Sequence, residues 1–244
     1  MSIKGKRVAD EAIYLNENRY DRPKEIFKYI GDIIKESDYP EGSKLLDAGC
    51  ATGELIYYLK QILPNFGSFH GMDISENLIA LARKRVKNVQ FFTGSILKDK
   101  SFKKCHYDVV ICSGVISIFD ELEKPMSNLL SCVRKGGSVL IAGGFNDDPI
   151  DVIMRYRRAN KPSEEWETGW NIFSRCTIED ILKNSGYKLK WNWYDFRLPF
   201  KIIKNSGDPM RCWTIATSGD PYQQVNGACQ MINYKVLKID VAPA

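Results

Sequence analysis

Lys44-Leu45-Leu46-Asp47-Ala48-Gly49-Cys50-Ala51-Thr52-Gly53-Glu54 is the stretch that decides the fold. An apolar run reaches an acidic residue, Asp47, and then breaks into a turn bounded by Gly49 and Gly53. A helix-like pattern, Leu55-Ile56-Tyr57-Tyr58-Leu59, follows at once. A strand that ends this way sets bare backbone N–H groups and a helix N-terminus beside a ligand. A second carboxylate, Asp73, closes the next apolar run, Phe69-His70-Gly71-Met72. There an acidic residue at a strand end would grip the two hydroxyls of an adenosine ribose.

The spacing also discriminates between ligands. A dinucleotide fingerprint wants glycine at positions 49, 51 and 54, and the chain carries Gly49, Ala51 and Glu54. Glutamate there removes the close helix–strand contact and turns a negative charge toward a pyrophosphate. NAD is therefore disfavoured. The phosphate-loop pattern ending in Gly-Lys-Ser/Thr is absent, which disfavours ATP or GTP held in that way. An adenosine cofactor without phosphate fits.

Leu45-Leu46-Asp47-Ala48-Gly49-Cys50-Ala51-Thr52-Gly53 resembles the first motif of the class I S-adenosylmethionine-dependent methyltransferases. Gly71-Met72-Asp73-Ile74-Ser75 resembles the second, Val89 to Ile96 the third, and Tyr107-Asp108-Val109-Val110-Ile111-Cys112-Ser113-Gly114-Val115 the fourth. Leu129 to Ala142, with Arg134-Lys135-Gly136-Gly137 before an apolar strand, resembles the unit that closes the binding half. The resemblance implies a Rossmann-like, doubly wound α/β fold: a mostly parallel seven-stranded sheet with an antiparallel last strand and inserted lid elements. It implies S-adenosylmethionine as cofactor. It assigns Asp47 to the loop and the cofactor's amino group, and Gly49, Cys50, Ala51 and Gly53 to the turn that meets the methionine part. Asp73 goes to the ribose, Ile74 to the adenine face, and Ser95 and Ile96 to the adenine edge. Cys112 and Ser113 present backbone at the end of the fourth strand. Tyr14, in an N-terminal segment that closes over the cofactor in this family, would reach the cofactor carboxylate. Ser95 departs from the family, many of whose members carry aspartate there, so the backbone of Ile96 takes on the adenine contact.

Bland alternatives stand beside these assignments. Gly49 and Gly53 also suit a plain tight turn, Asp47 a helix-capping carboxylate, and Cys112 a small apolar core residue. Tyr14 and Tyr20 equally suit simple helix packing.

The 244 residues allow one domain with an elaborated cap. Hydrophobic residues make up 44% and charged residues 27%, an ordinary globular balance. No apolar run is long enough to span a membrane. The basic start, Met1 to Arg7, lacks the apolar stretch of a signal peptide. Seven scattered cysteines without a Cys-x-x-Cys pair, and only two histidines, argue against a metal cluster and for reduced thiols in the cytoplasm. The net charge of +5 comes without a basic tract, so no nucleic-acid partner is expected.

Four segments follow: residues 1–43, helical and closing over the cofactor; 44–146, the cofactor-binding core; 147–176, an inserted lid; and 177–244, the second half of the fold with an elaborated edge hairpin. In the lid a helix is expected over Ile150 to Ala159, which would put Arg155 and Arg158 on one face. With Asn146 and Trp170 these arginines are the candidate acceptor-binding residues, suited to phosphate or carboxylate. A solvated helix face over a tryptophan-packed edge is the competing reading. Asp120 and Tyr156 are the candidates to take a proton. In-line displacement at an activated methyl leans more on positioning, worth roughly 7–11 kcal/mol, than on a base, worth roughly 3–5 kcal/mol. The expected activity is methyl transfer to oxygen or nitrogen of a small metabolite, with anionic and nucleotide-linked sugars among the options. An RNA or protein methyltransferase and a non-catalytic cofactor-binding protein are the alternatives; the oligomeric state is left open.

Overall fold

A computed structural model describes residues 9–101 and 103–242. The basic start and the rest of the first eight residues of the N-terminal segment lie outside the described residues. The described chain begins with α1 (Ala9–Asn16) and α2 (Glu25–Lys35). Five units of strand and following structure come next: β1 (Ser43–Ala48), α3 (Glu54–Ile62), β2 (Phe66–Asp73), α4 (Glu76–Arg85), β3 (Gln90–Thr93), β4 (Tyr107–Ser113), α5 (Glu123–Cys132) and β5 (Val133–Asn146). Short strands β6 (Arg155–Tyr156), β7 (Glu167–Thr168) and β8 (Phe173–Ser174) lead into α6 (Arg175–Lys183) and β9 (Leu189–Asp195). A small meander, β10 (Trp213–Ile215), β11 (Gln223–Val225) and β12 (Met231–Ile232), precedes the final strand, β13 (Tyr234–Val241).

The main sheet runs β3-β2-β1-β4-β5-β13-β9, with β8 paired to the end of β5. The first five strands are mutually parallel, and β13 is antiparallel to both β5 and β9. This is the doubly wound, mostly parallel sheet with an antiparallel last strand that the motifs imply. Its central strands are continuous apolar runs because both faces are covered. Alternation sorts them into two layers. Leu46, Val110, Val139 and Ile141 pack on one face with α5 and α6, while Leu45, Val109, Ile111 and Leu140 pack on the other with α2, α3 and α4.

α4 starts where the sequence places it: Ser75 Oγ accepts from the Leu78 N–H at 3.2 Å, and Leu78, Ile79, Ala82 and Val86 are buried. The lid differs from expectation. Residues 150–159 form no helix; the segment is extended, and Arg155–Tyr156 pairs antiparallel with Glu167–Thr168. Two tertiary contacts override local propensity there. Val152 and Ile172 exchange backbone hydrogen bonds at 2.8 and 3.0 Å, and the Met154 N–H donates to Asn171 Oδ1 at 2.8 Å. Arg155 and Arg158 therefore share no helix face.

Candidate functional site

The ends of β1, β2 and β4 open into a cleft of about 400 Å3. Its floor is the turn after β1. Gly49 has φ of +96°, and a Cβ on it would lie 2.4 Å from Val115 Cγ2, so only glycine fits. Ala51 also adopts a left-handed conformation, with φ of 45°. The expectation of bare N–H groups in this turn needs correction. The Gly49 and Cys50 N–H groups donate to the Met72 carbonyl at 2.7 and 3.0 Å, and that of Gly53 to the Cys50 carbonyl at 2.8 Å. The Ala51 N–H donates to Asp73 Oδ2 at 2.9 Å. The turn is thus stitched to β2 and has few donors to spare for a phosphate.

Carboxylates dominate instead. Asp47 is 2% exposed, lines the cleft and receives no hydrogen bond among the described residues. Burial, with the nearby Asp73 charge second, pushes its pKa up to about 8. Asp73, at the tip of β2, accepts from the Ala51 and Ser75 N–H groups at 2.9 and 3.0 Å. Desolvation raises its pKa too, against the lowering effect of those bonds. Glu54 is buried beside the turn and accepts from the Arg19 N–H at 2.7 Å. Four acidic side chains, Glu11, Asp47, Glu54 and Asp73, line the cleft with one lysine, Lys24, which pairs with Glu17 Oε2 at 3.0 Å. This field repels a pyrophosphate and suits a cationic ligand.

Among the residues expected to hold cofactor, Tyr14, Asp47, Gly49, Cys50, Ala51, Asp73, Ile74, Ser95, Ile96 and Ser113 line the cleft. Ile74 is 74% exposed at the rim, an apolar face in search of a flat partner. Ser95 Oγ accepts from the Leu97 N–H at 3.3 Å, and the Ile96 carbonyl accepts from Asn128 Nδ2 at 2.7 Å. The Ile96 carbonyl thus already has one donor. Two residues fall elsewhere. Cys112 is fully buried behind the cleft, where desolvation raises its thiol pKa. Gly53, with φ of +83°, is the N-cap of α3 and packs against Phe91 rather than facing ligand.

The acceptor and proton candidates lie outside the cleft lining. Asp120 pairs with Arg155 Nη2, and Asn171 Nδ2 donates to Asp120 Oδ1 at 3.3 Å. Tyr156 Oη donates to Glu167 Oε2 at 3.0 Å across the β6–β7 ladder. Asn146 spends its side chain on the turn to Ile150, and the Trp170 carbonyl accepts from Gln230 Nε2 at 3.0 Å. Arg158 is not brought to the cleft.

Several cleft residues carry no motif that announces them. Lys24, Ile26 and Phe27 form part of the roof, and Tyr234, from the start of β13, forms the far wall beside Ile118 and Phe119. The roof is tied to the floor: Tyr20 Oη donates to the Thr52 carbonyl at 2.6 Å. The tyrosines at positions 14 and 20 are the signals in the sequence that this segment reaches a site.

A doubly wound sheet with a stitched glycine turn, a ribose-type carboxylate and a phosphate-hostile cleft defines a binder of a phosphate-free adenosyl cofactor. The methyltransferase-domain family model matches residues 40–193, more than half of the chain. The chain belongs to that family and has the fold of the class I S-adenosylmethionine-dependent methyltransferases. An uncharacterized protein of Methanocaldococcus jannaschii is 30% identical over 166 residues, covering 63% of this chain and 43% of its own. The dTDP-3-amino-3,4,6-trideoxy-alpha-D-glucopyranose N,N-dimethyltransferase of Streptomyces venezuelae is 28% identical, covering 46% of each chain. The matches span less than half the length of these curated relatives. Among solved structures, the complex of the Haloferax volcanii Trm112 methyltransferase activator with a methyltransferase matches with a TM-score of 0.65 at 14% identity, covering 100% of this chain and 98% of the other. A TehB-like S-adenosylmethionine-dependent methyltransferase from Corynebacterium glutamicum matches with a TM-score of 0.57 at 18% identity, covering 96% and 98%. These likenesses show the fold.

Among the described residues no helix is long and apolar enough to cross a membrane, and no group of histidine, cysteine or acidic side chains is placed to hold a metal.

Proposed function

We propose that the chain methylates an oxygen or nitrogen of a small metabolite, with sugars, including nucleotide-linked ones, among the acceptors. The observation that carries this reading is the aromatic and apolar lining at one end of the cleft. Tyr14, Lys24 and Phe27 roof it, and Ile118, Phe119 and Tyr234 close its far end. Aromatic and apolar side chains thus gather at one end of the cleft, away from the carboxylates. The Streptomyces venezuelae relative, named for an amino-sugar substrate, supports a small acceptor.

The residues present fit S-adenosylmethionine. The glycine cradle at Gly49 admits backbone where any Cβ would clash, and the undonated Asp47 carboxylate suits the cofactor's ammonium. Asp73 has lone pairs left for ribose hydroxyls, Ile74 covers adenine, and Ile96 offers its N–H to the ring. Lys24 is placed for the carboxylate. When bound, the cofactor supplies a methyl group already activated on a sulfonium. The protein's part is orientation and exclusion of water by the aromatic end of the cleft. Asp120, paired to Arg155, and Tyr156, bonded to Glu167, would act through the lid that they brace. The released proton would leave to solvent or to a group on the acceptor.

The test is production of S-adenosylhomocysteine with a panel of phosphorylated sugars, amino sugars and small amines. Turnover with at least one small acceptor supports the reading. Turnover only with RNA or protein, or cofactor binding with no turnover at all, would replace it.

A further inference from the structure

A second concavity, of about 260 Å3, lies at the start of β13. Asp195 and Phe196 wall it at the end of β9, Asp147 after β5, and Asp220 and Tyr222 before β11. Lys235 lies at its base and is only 6% exposed. Its ammonium meets two acceptors among the described residues, Asp195 Oδ1 at 2.5 Å and Asp147 Oδ2 at 3.1 Å. An ammonium has three N–H donors, and a buried donor left unmet is costly. One donor therefore remains for a group in the cavity.

Acceptors stand next to that donor. The Asp195 side chain is 68% exposed toward the mouth, and its Oδ2 has no partner among the described residues. The Tyr222 N–H holds Asp220 Oδ1 at 2.7 Å, which fixes that carboxylate and leaves its other oxygen. Phe196 and Tyr222 add aromatic surface. The three carboxylates are balanced by Lys235, Arg197 and, from outside the lining, Arg175, which pairs with Asp147 at 3.3 Å, so the walls favour no net charge on the ligand. A hydroxyl group both donates and accepts, and neighbouring hydroxyls on a ring with an apolar face match this set.

The geometry points to a subsite for a polyhydroxylated ring of the sugar class, neutral or amino-bearing. Tyr234 lines both this cavity and the cofactor cleft. A ring held on Lys235 and Asp195 is then the non-reacting part of the acceptor, and its reacting substituent extends past Tyr234. This last step rests on the methyltransferase reading; the binding of the ring does not.

The full chain, saturated with S-adenosylhomocysteine, is titrated by calorimetry with D-glucosamine, methyl α-D-glucoside and myo-inositol. At least one of them binds saturably. Its binding weakens by about tenfold or more in Asp195→Asn, which keeps an acceptor for Lys235, and in Tyr222→Ala. The Kd for S-adenosylhomocysteine stays within about twofold in both variants, which reports an intact fold. No saturation with any of the three, or equal binding by wild type and variants, overturns the subsite. Failure of S-adenosylhomocysteine itself to bind overturns the methyltransferase reading instead; the same titrations without it then judge the subsite alone.

Discussion

The Ala51 N–H donates to Asp73 Oδ2 at 2.9 Å, so the carboxylate expected to hold the ribose also holds the turn expected to hold the methionine end. The two halves of the cofactor site are one hydrogen-bonded unit.

Asp73→Ala removes that bond and the one from the Ser75 N–H as well as the ribose contact. Charge-assisted bonds of this kind are worth roughly 1.5–3 kcal/mol each. Cofactor affinity should fall at least about tenfold, with a lower melting temperature. A calorimetric Kd equal to that of the wild type would remove Asp73 from the site.

Asp47 makes the empty cleft costly. Its folded pKa, about 8, lies above the unfolded carboxylate value, so the folded state holds the proton more tightly between about pH 4 and pH 8. Its contribution to stability is present below pH 4 and is lost as the pH rises toward 8. Asp47→Asn should therefore melt higher than the wild type at pH 8, with the gap closing toward pH 4, while cofactor binding is lost. A gap independent of pH in scanning calorimetry would count against it.

Gly49 and Gly114 both have positive φ, +96° and +70°, but only Gly49 is crowded, with Val115 Cγ2 at 2.4 Å from a built Cβ. Alanine at either costs about 1–2 kcal/mol of backbone strain. Gly49→Ala should cost clearly more and abolish cofactor binding, and Val115→Ala in the same chain should restore part of the stability. Equal melting points for Gly49→Ala and Gly114→Ala would refute the close contact.

Asn171 is 1% exposed and braces the lid against the loop after β4. Its amide donates to the Phe119 carbonyl at 2.7 Å and accepts from the Met154 N–H at 2.8 Å. Asn171→Ala leaves a part-buried carbonyl and a part-buried N–H without this partner, at a cost of about 1 kcal/mol or more each. Denaturant unfolding should show a loss of at least about 2 kcal/mol, and more than for Asp120→Ala, whose side chain is half exposed. The reverse order would mean that the Asp120–Arg155 pair, not the amide, anchors the lid.

The core of the site was legible in the sequence because its parts are local. Asp47, Gly49 and Asp73 sit at strand ends that apolar runs and glycines mark directly. The spent N–H groups of the turn were not legible, since their acceptor, the Met72 carbonyl, lies on the neighbouring strand. Tyr234 and Lys24 are more than 200 residues apart and meet only in the folded chain. The lid was misread because Met154-Arg155-Tyr156-Arg157-Arg158 has ordinary helix formers, whereas the deciding partners, Ile172 and Asn171, follow a loop later. Arg155, read as an anion hook, is already matched by Asp120.

β13 is held in register on both sides, Tyr234 opposite Gly144 and Lys235 opposite Gly143 and Asp195. Successive residues of a strand point to opposite faces, so Tyr234 serves the tyrosine-rich layer and Lys235 the other. A slip of a single position would trade an aromatic wall for an ammonium and spoil both concavities together. One ladder of main-chain bonds thus keeps the two concavities in step.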